Sequence, residues 1–375
     1  MLRTPLATEL GIEHPIFAFT YQPEVAAAVS RSGGMGVLGA MRFSPDELAE
    51  ALDYMDRECG GKPYGVDIVM PASSEKVDAT QVPEILKQLE AMIPQEHRTF
   101  IERVLDEHGV PQLPEGEEVP RGLLGWTDAT ARPQVEIALS HPIALLANAL
   151  GPPPKDIVDQ AHDKNVQVAA LVGRVDQAEK QREQGVDIVV AQGTEAGGHS
   201  GEIATMVLVP EVVEALAPAP VLAAGGIGRG SQVAAALALG AAGVWTGSLW
   251  LTTTEHELQE ALRAKLLAAS SRDTVRSRSL TGKPARQLRT AWTEAWEDPA
   301  NPDPLGMPLQ YLLTSEAQHR IRVSGKEELL GMPVGQIIGS VREMRPVAEV
   351  MNALVRDAAT TIAALQSYTP SEVQA

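Results

Sequence analysis

Eight short aliphatic runs recur between residues 15 and 247, most of them leading into a helix-like segment. This alternation constrains the fold more than any other feature of the chain. The runs are Pro15–Phe19, Met35–Ala40, Tyr64–Met70, Ile143–Asn148, Val166–Val172, Asp187–Gln192, Val221–Ala224 and Gly243–Gly247. Helical segments are expected over Glu24–Ser32, from Ser44 onward, and over Pro154–Lys164, Val175–Gln184, Ser231–Leu239 and Glu255–Ala269. Ser44-Pro45-Asp46-Glu47 combines an N-cap serine, proline at the first position and acids in the first turn. Alternation of strand and helix predicts an α/β protein with a parallel sheet, and eight units without an extra edge strand favour closure into a (β/α)8 TIM barrel. A doubly wound open sheet satisfies the same periodicity.

Two regions interrupt the rhythm. Residues from about 71 to about 135 hold two polar helical stretches, Val82–Met92 and Gln95–His108, and a Pro/Glu-rich loop. They read as a helical insertion after the third strand, serving as a lid or an interface. Beyond residue 270 come Trp292 and Trp296, several prolines and a final helix near Arg345–Leu365. The expected division is a barrel over 1–270 and a C-terminal cap over 271–375. Trp292 and Trp296, four apart, are expected on one helical face. His97, His108 and His162 lie in polar helices and are expected in solvent.

Composition narrows the function. The formal net charge of -18 repels nucleic acid and anionic membrane. Aromatic residues are only 4%, so the core must come from Ala, Val, Leu and Ile, which suits strands buried on both faces. Cys59 is the only cysteine, which excludes an internal disulfide and a thiolate metal cluster. No HExxH or comparable metal-ligand spacing occurs. The start, MLRTPLATEL, has no signal pattern, and no apolar stretch reaches the length of a membrane span. The expectation is a cytoplasmic protein that binds neither nucleic acid nor membrane.

Three glycine-rich segments stand at strand ends. Ala223-Ala224-Gly225-Gly226-Ile227-Gly228-Arg229-Gly230-Ser231 opens a helix, where glycines allow close backbone approach and free N–H groups meet an anion. It is not a dinucleotide fingerprint, because the third glycine is replaced by Ser231, and it lacks a P-loop ending. Thr246-Gly247-Ser248 ends the next strand. Barrels commonly bind phosphate between the loops after strands seven and eight, the positions these two clusters occupy. The third segment, Ala191-Gln192-Gly193-Thr194-Glu195-Ala196-Gly197-Gly198-His199-Ser200-Gly201, places an amide, a carboxylate and an imidazole in one short loop. An imidazole there can exchange a proton at neutral pH.

Gln192-Gly193-Thr194-Glu195-Ala196-Gly197-Gly198-His199 resembles the QGxEAGGH signature of the nitronate monooxygenase (2-nitropropane dioxygenase) family and of related FMN-dependent enoyl reductases. Ala26–Ser30 with Gly33–Gly36 and Leu38–Ala40, Ala223–Ile227, and Gly282–Arg286 match further family segments in the same order. The resemblance implies FMN across the barrel mouth. Gln192 and Gly197 would meet the flavin, and Gly225 and Gly226 with Trp245, Thr246, Gly247 and Ser248 would meet its phosphate. His199 would be the active-site base or would orient a bound anion. Departures occur as well. Ala18-Phe19-Thr20-Tyr21 replaces a Gln-Ala-Pro-Met run, Leu249 replaces an arginine, and Asp67 replaces an asparagine. As a carboxylate, Asp67 would accept from the flavin N3–H instead of donating.

The implied reaction is oxidation of an alkyl nitronate by O2 to a carbonyl compound and nitrite. The rival is an FMN-dependent reductase of a quinone or enoyl thioester using NAD(P)H. Either way the partner is a small molecule, and a homodimer is also expected. An IMP dehydrogenase-like reading would need Cys59 as nucleophile, and a flavin-binding scaffold would need His199 to be idle.

Overall fold

The computed structural model describes residues 2–70, 82–114, 116–117, 119, 128–149 and 151–368. Part of the expected insertion and of its Pro/Glu-rich loop therefore lies outside the described residues. In chain order the elements are α1 (Pro5–Glu9), β1 (Ile16–Thr20), α2 (Pro23–Arg31), β2 (Met35–Gly39), α3 (Pro45–Glu58), β3 (Tyr64–Asp67), α4 (Val82–Ala91), α5 (Gln95–Glu107), α6 (Asp128–Ala138) and β4 (Leu145–Asn148). There follow α7 (Lys155–Asp163), β5 (Gln167–Val172), α8 (Val175–Glu183), β6 (Ile188–Gln192), β7 (Gly198–His199), α9 (Thr205–Leu216), β8 (Val221–Ala224), α10 (Gly230–Ala238) and β9 (Gly243–Thr246). The chain ends with α11 (Glu260–Ala268), β10 (Thr274–Ser277), β11 (Ala285–Leu288), α12 (Ala291–Glu297), α13 (Leu309–Ser324) and α14 (Val347–Gln366).

The eight expected runs are the eight strands of a closed parallel barrel, ordered β1-β2-β3-β4-β5-β6-β8-β9. Pairing of β1 with β9 closes it, with Ile16 opposite Val244 and Ala18 opposite Thr246. This removes the open-sheet alternative. Inward positions follow the two-residue strand period. Phe17, Met35, Val37, Leu145, Ala147, Ile188, Val190, Leu222 and Trp245 fill the lumen, so the barrel is a packed core. Leu6 and Ala7 of α1, with Leu10 just after it, close its N-terminal end. The Ser44 start signal is a complete capping box: Glu47 N–H donates to Ser44 Oγ (3.3 Å) and Ser44 N–H to Glu47 Oε2 (2.8 Å).

Helix α9 was not legible in the sequence. Its run TMVLVPEVVEAL is aliphatic almost throughout and contains Pro210, so no polar face marks a helical period. It buries Leu208, Val209, Val212 and Leu216 against the barrel.

A second core lies beside the barrel. Phe100, Ile101, Val104 and Leu105 of α5 pack with Trp292 and Trp296 of α12 and Leu313 and Ile321 of α13. The two tryptophans do share a face, with ring centroids 6.0 Å apart, and Phe100 meets Trp296 edge-on at 4.7 Å. His97 is a correction to the sequence reading: it is buried, and its Nε2 lies 3.0 Å from the Asp303 carbonyl. Arg320 fastens the unit. Its buried guanidinium donates to both Glu102 carboxylate oxygens (2.8 and 3.1 Å) and to the Pro111 carbonyl (3.0 Å). Arg320→Met should destabilise the protein by about 1 to 3 kcal/mol in denaturant unfolding, because the Val110 and Pro111 carbonyls and the half-exposed Glu102 carboxylate lose a buried donor. A loss under about 0.5 kcal/mol would mean the ion pair is only a surface contact. The final helix, α14, runs along the barrel's side against α10 and α2.

Candidate active site

The C-terminal ends of the strands carry the polar groups. Val66 belongs to the outer core, so alternation turns its neighbour Asp67 into the barrel mouth. Asp67 is 3% exposed and its Oδ1 has no hydrogen-bond partner. Burial pushes its carboxyl up to about 7, opposed only by the Ala149 N–H that donates to it. Gln192, two residues beyond inward-facing Val190, sits half-buried in the same layer. Asn148, on β4, was not foreseen. It is fully buried and accepts from Met70 N–H (3.0 Å) while donating to the carbonyls of Met70 (3.0 Å) and Gly151 (3.1 Å), tying the ends of β3 and β4 together.

The loop after β6 is held rigidly. Glu195 does not face substrate: it accepts from Thr205 N–H (3.0 Å) and Oγ1 (2.9 Å) at the start of α9. A side chain at Gly193 would stand 2.1 Å from Thr205 Oγ1, so only glycine lets this contact form. Arg286 on β11 donates to the Thr194 carbonyl (2.9 Å), and Gln336 N–H to that of Glu195 (2.9 Å). Gly197 lies against Val334 and Gly335. The C-terminal part of the chain thus clamps the loop, through Arg286 of the Gly282–Arg286 segment and through Val334, Gly335 and Gln336, which belong to no motif noted in the sequence.

His199 is part of β7, which pairs antiparallel with β11, Ala285 opposite His199. The residue is exposed, although neighbouring protein partly desolvates the ring. Desolvation, and secondarily the Lys283 charge, hold its pKa below the usual 6.5. Its Nε2 lies 2.8 Å from Thr281 Oγ1, which also accepts from Lys283 N–H (3.3 Å). The ring is thereby oriented from one edge and neutral at physiological pH.

The two glycine clusters meet as neighbours, since β8 pairs with β9. Gly225 (φ +95) and Gly226 (φ +69) take left-handed conformations. Helix α10 begins without a side-chain cap, and so does the 3-10 turn Ser248–Trp250. Their first N–H groups are available to an anion. A Cβ on Gly247 would meet nothing within 4 Å. Ser248 Oγ accepts from Gly335 N–H (2.8 Å), which leaves the hydroxyl hydrogen to donate. Thr246 is committed internally: its hydroxyl donates to the Phe17 carbonyl and accepts from Trp250 Nε1, both at 2.9 Å. Trp245 stacks on Phe17 inside the lumen (6.3 Å, 14°). These two residues shape the end of β9 from beneath, and Thr246 has only backbone groups to offer a ligand.

Cys59 caps the end of α3 in the outer core, and burial raises its thiol to about 11. It is neither placed nor ionised to act as a nucleophile.

The sequence pattern of the nitronate monooxygenase family matches residues 3–357. The chain belongs to the nitronate monooxygenase family. It is therefore an FMN-dependent oxidoreductase. Over 97% of its length it is 49% identical to a Mycobacterium tuberculosis protein named "Putative monooxygenase Rv1533", 99% of which is covered. It is 28% identical to a "Probable nitronate monooxygenase" of Staphylococcus aureus, covering 88% of this chain and 90% of that one. The structure of FabK from Thermotoga maritima superposes with a TM-score of 0.73 at 26% identity, covering 98% of this chain and 100% of that chain. A nitroalkane oxidase from Streptomyces ansochromogenes shares the fold, with a TM-score of 0.78 at 24% identity over 96% of this chain and 99% of that one. No helix among the described residues is long and apolar enough to cross a membrane.

Proposed function

We propose that this family member oxidises alkyl nitronates with O2 to a carbonyl compound and nitrite. The observation that carries the reading is the joint placement of His199, Gln192 and Asp67 at one mouth with an uncapped N–H cradle beside it. That donor set fits FMN. Gly225, Gly226, Gly247 and Ser248 would hold the phosphate through backbone N–H groups and one hydroxyl. Trp245 and Thr246 would support that cradle from below. Gln192, Gly197 and Asp67 would meet the flavin ring. Protonation changes the role of Asp67. A carboxyl raised to about 7 carries a proton much of the time near neutrality, and then offers both a donor and an acceptor, as an amide would. FMN, when bound, supplies the electron acceptor. The chain's own residues bind and orient: the clamped loop presents His199, whose neutral imidazole can take the α-proton of a neutral nitroalkane or hold the anion already formed.

Gly225→Ala tests the cradle. Alanine at φ +95 is strained, and its Cβ would press on the Gly193 carbonyl at 3.0 Å. FMN affinity should fall on the order of 100-fold, from about 3 kcal/mol of strain. Unchanged affinity by flavin fluorescence titration would move the phosphate elsewhere.

The second reading, a reductase using NAD(P)H, is favoured by the motif shared with enoyl reductases and by the altered segment Ala18–Tyr21. One experiment separates the two. The FMN-loaded protein is mixed without oxygen with a propyl nitronate, and separately with NADH or NADPH. Flavin bleaching by nitronate alone supports the oxidase reading, whereas bleaching only by the nicotinamide overturns it.

A further inference from the structure

The second core reaches the active-site loop through one hairpin. Strands β10 and β11 pair with Ser277 opposite Ala285, and Ala285 lies opposite His199 on β7. Residues 278–284 form the hairpin's loop, and α13 fixes it from two buried positions. Gln310 Nε2 donates to the Ser279 carbonyl (3.0 Å), and Thr314 Oγ1 to the Leu280 carbonyl (2.8 Å). The Leu280 side chain packs into the second core. Arg278 braces the far side, its Nε donating to the Gly282 carbonyl (3.1 Å) and its Nη2 to the Pro304 carbonyl (2.9 Å). Gly282 has φ +83, and a Cβ there would strike the Leu305 carbonyl. Thr281 is therefore placed by both of its neighbours.

Three groups share the Thr281 hydroxyl. His199 Nε2 lies 2.8 Å from Oγ1, and the N–H and the carbonyl of Lys283 each lie 3.3 Å from it. A hydroxyl has one proton to give and two lone pairs. The Lys283 carbonyl is only an acceptor, so it takes the proton. The Lys283 N–H is only a donor, so it takes one lone pair. The second lone pair is left for His199, whose Nε2 must then carry hydrogen. In a neutral imidazole one nitrogen donates and the other accepts, and the hydrogen bond at one fixes the role of the other. A proton on Nε2 leaves Nδ1 bare.

We propose that Thr281 is a positioning residue for His199, holding the ring's proton on Nε2 so that Nδ1 is the nitrogen that takes the α-proton of a neutral nitroalkane. This inference rests on reading His199 as the base of the proposed reaction. The step balances: the carbon–hydrogen bond breaks, its electron pair stays on the nitroalkane as the nitronate, and the proton bonds to Nδ1. The ring becomes an imidazolium that still donates from Nε2 to Thr281, so the same hydrogen bond serves before and after the transfer. The second core has a part in the chemistry on this account, since α13 sets the loop that sets the hydroxyl.

The test is nitrogen-15 NMR of the FMN-loaded protein, labelled in its histidines, at a pH where the ring is neutral. His199→Asn identifies the His199 signals by their loss. The wild type should show one fixed form, with Nε2 protonated and Nδ1 bare. Thr281→Val, which removes the hydroxyl and keeps the shape, should divide the proton between the two nitrogens, and Thr281→Ser should restore the fixed form. In Thr281→Val, kcat with a neutral nitroalkane should fall about tenfold or more while KM moves little, again with rescue by serine. A wild-type ring protonated on Nδ1 or divided between the two forms overturns the proposal, and so does a valine variant with wild-type signals or wild-type kcat. Because the signals are read without turnover, a protein with the fixed form that oxidises no nitronate would refute the proposed reaction and leave the role of Thr281 on the ring standing.

Discussion

His199→Asn should lose turnover of neutral nitroalkanes by about 10²- to 10⁴-fold, the usual range for removing a general base, while losing much less on preformed nitronates. A neutral nitroalkane must give up a proton from carbon before it can be oxidised, whereas a nitronate has already lost it. The imidazole is suited to that step because its Nε2 edge is occupied by Thr281 at 2.8 Å, leaving the other nitrogen for substrate. Its pH dependence follows from the environment. Burial, then Lys283, hold the pKa below 6.5, so the basic form persists as pH falls through that value. The decline of oxygen uptake with a neutral nitroalkane as pH falls should be centred below pH 6.5. An Asn variant with full activity on neutral nitroalkanes, or a decline centred above pH 6.5, would remove His199 as the base.

Asp67→Asn should stabilise the flavin-free protein, and increasingly so as pH rises. The folded-state carboxyl titrates at about 7 against an ordinary value of 3.8. Below about pH 4 both states are protonated and nothing is gained. Between there and 7 the unfolded chain releases a proton that the folded chain retains, so wild-type stability falls as pH rises, and it levels off above 7. The span of 7 − 3.8, about 3 units, gives an upper limit of about 4 kcal/mol at pH 8, at 1.36 kcal/mol per unit. Asparagine cannot ionise, so urea unfolding should show the variant's advantage growing between pH 4 and pH 8. An advantage independent of pH would mean that the carboxyl is solvated. Repeating the measurement with FMN tells which form the flavin meets. A flavin that donates to the carboxylate reduces the variant's advantage, and one that accepts from the acid preserves it.

Much of this was legible in the chain itself. The strand cores were set by continuous aliphatic runs bounded by glycine and proline, and each of the eight lies within a residue or two of its expected position, apart from the three-residue overrun of Tyr64–Met70. The helix at Ser44 was marked by a capping box that operates over four residues and needs no tertiary partner. The Gly-rich loop bearing Gln192 and His199, and the pair of glycine clusters after β8 and β9, were visible because left-handed backbone and close approach demand glycine locally.

What required the tertiary structure was every relation between distant segments. Closure of β9 on β1 is a matter of register across more than two hundred residues, to which periodicity is blind. The clamp on the loop of His199 joins Arg286, whose segment was visible but not its partner, with Gly335 and Gln336, which carry no motif because a backbone hydrogen bond can be made by any residue type. Asp67 reads in the sequence as an ordinary carboxylate; only its burial, with one oxygen unpartnered, brings its pKa near neutrality.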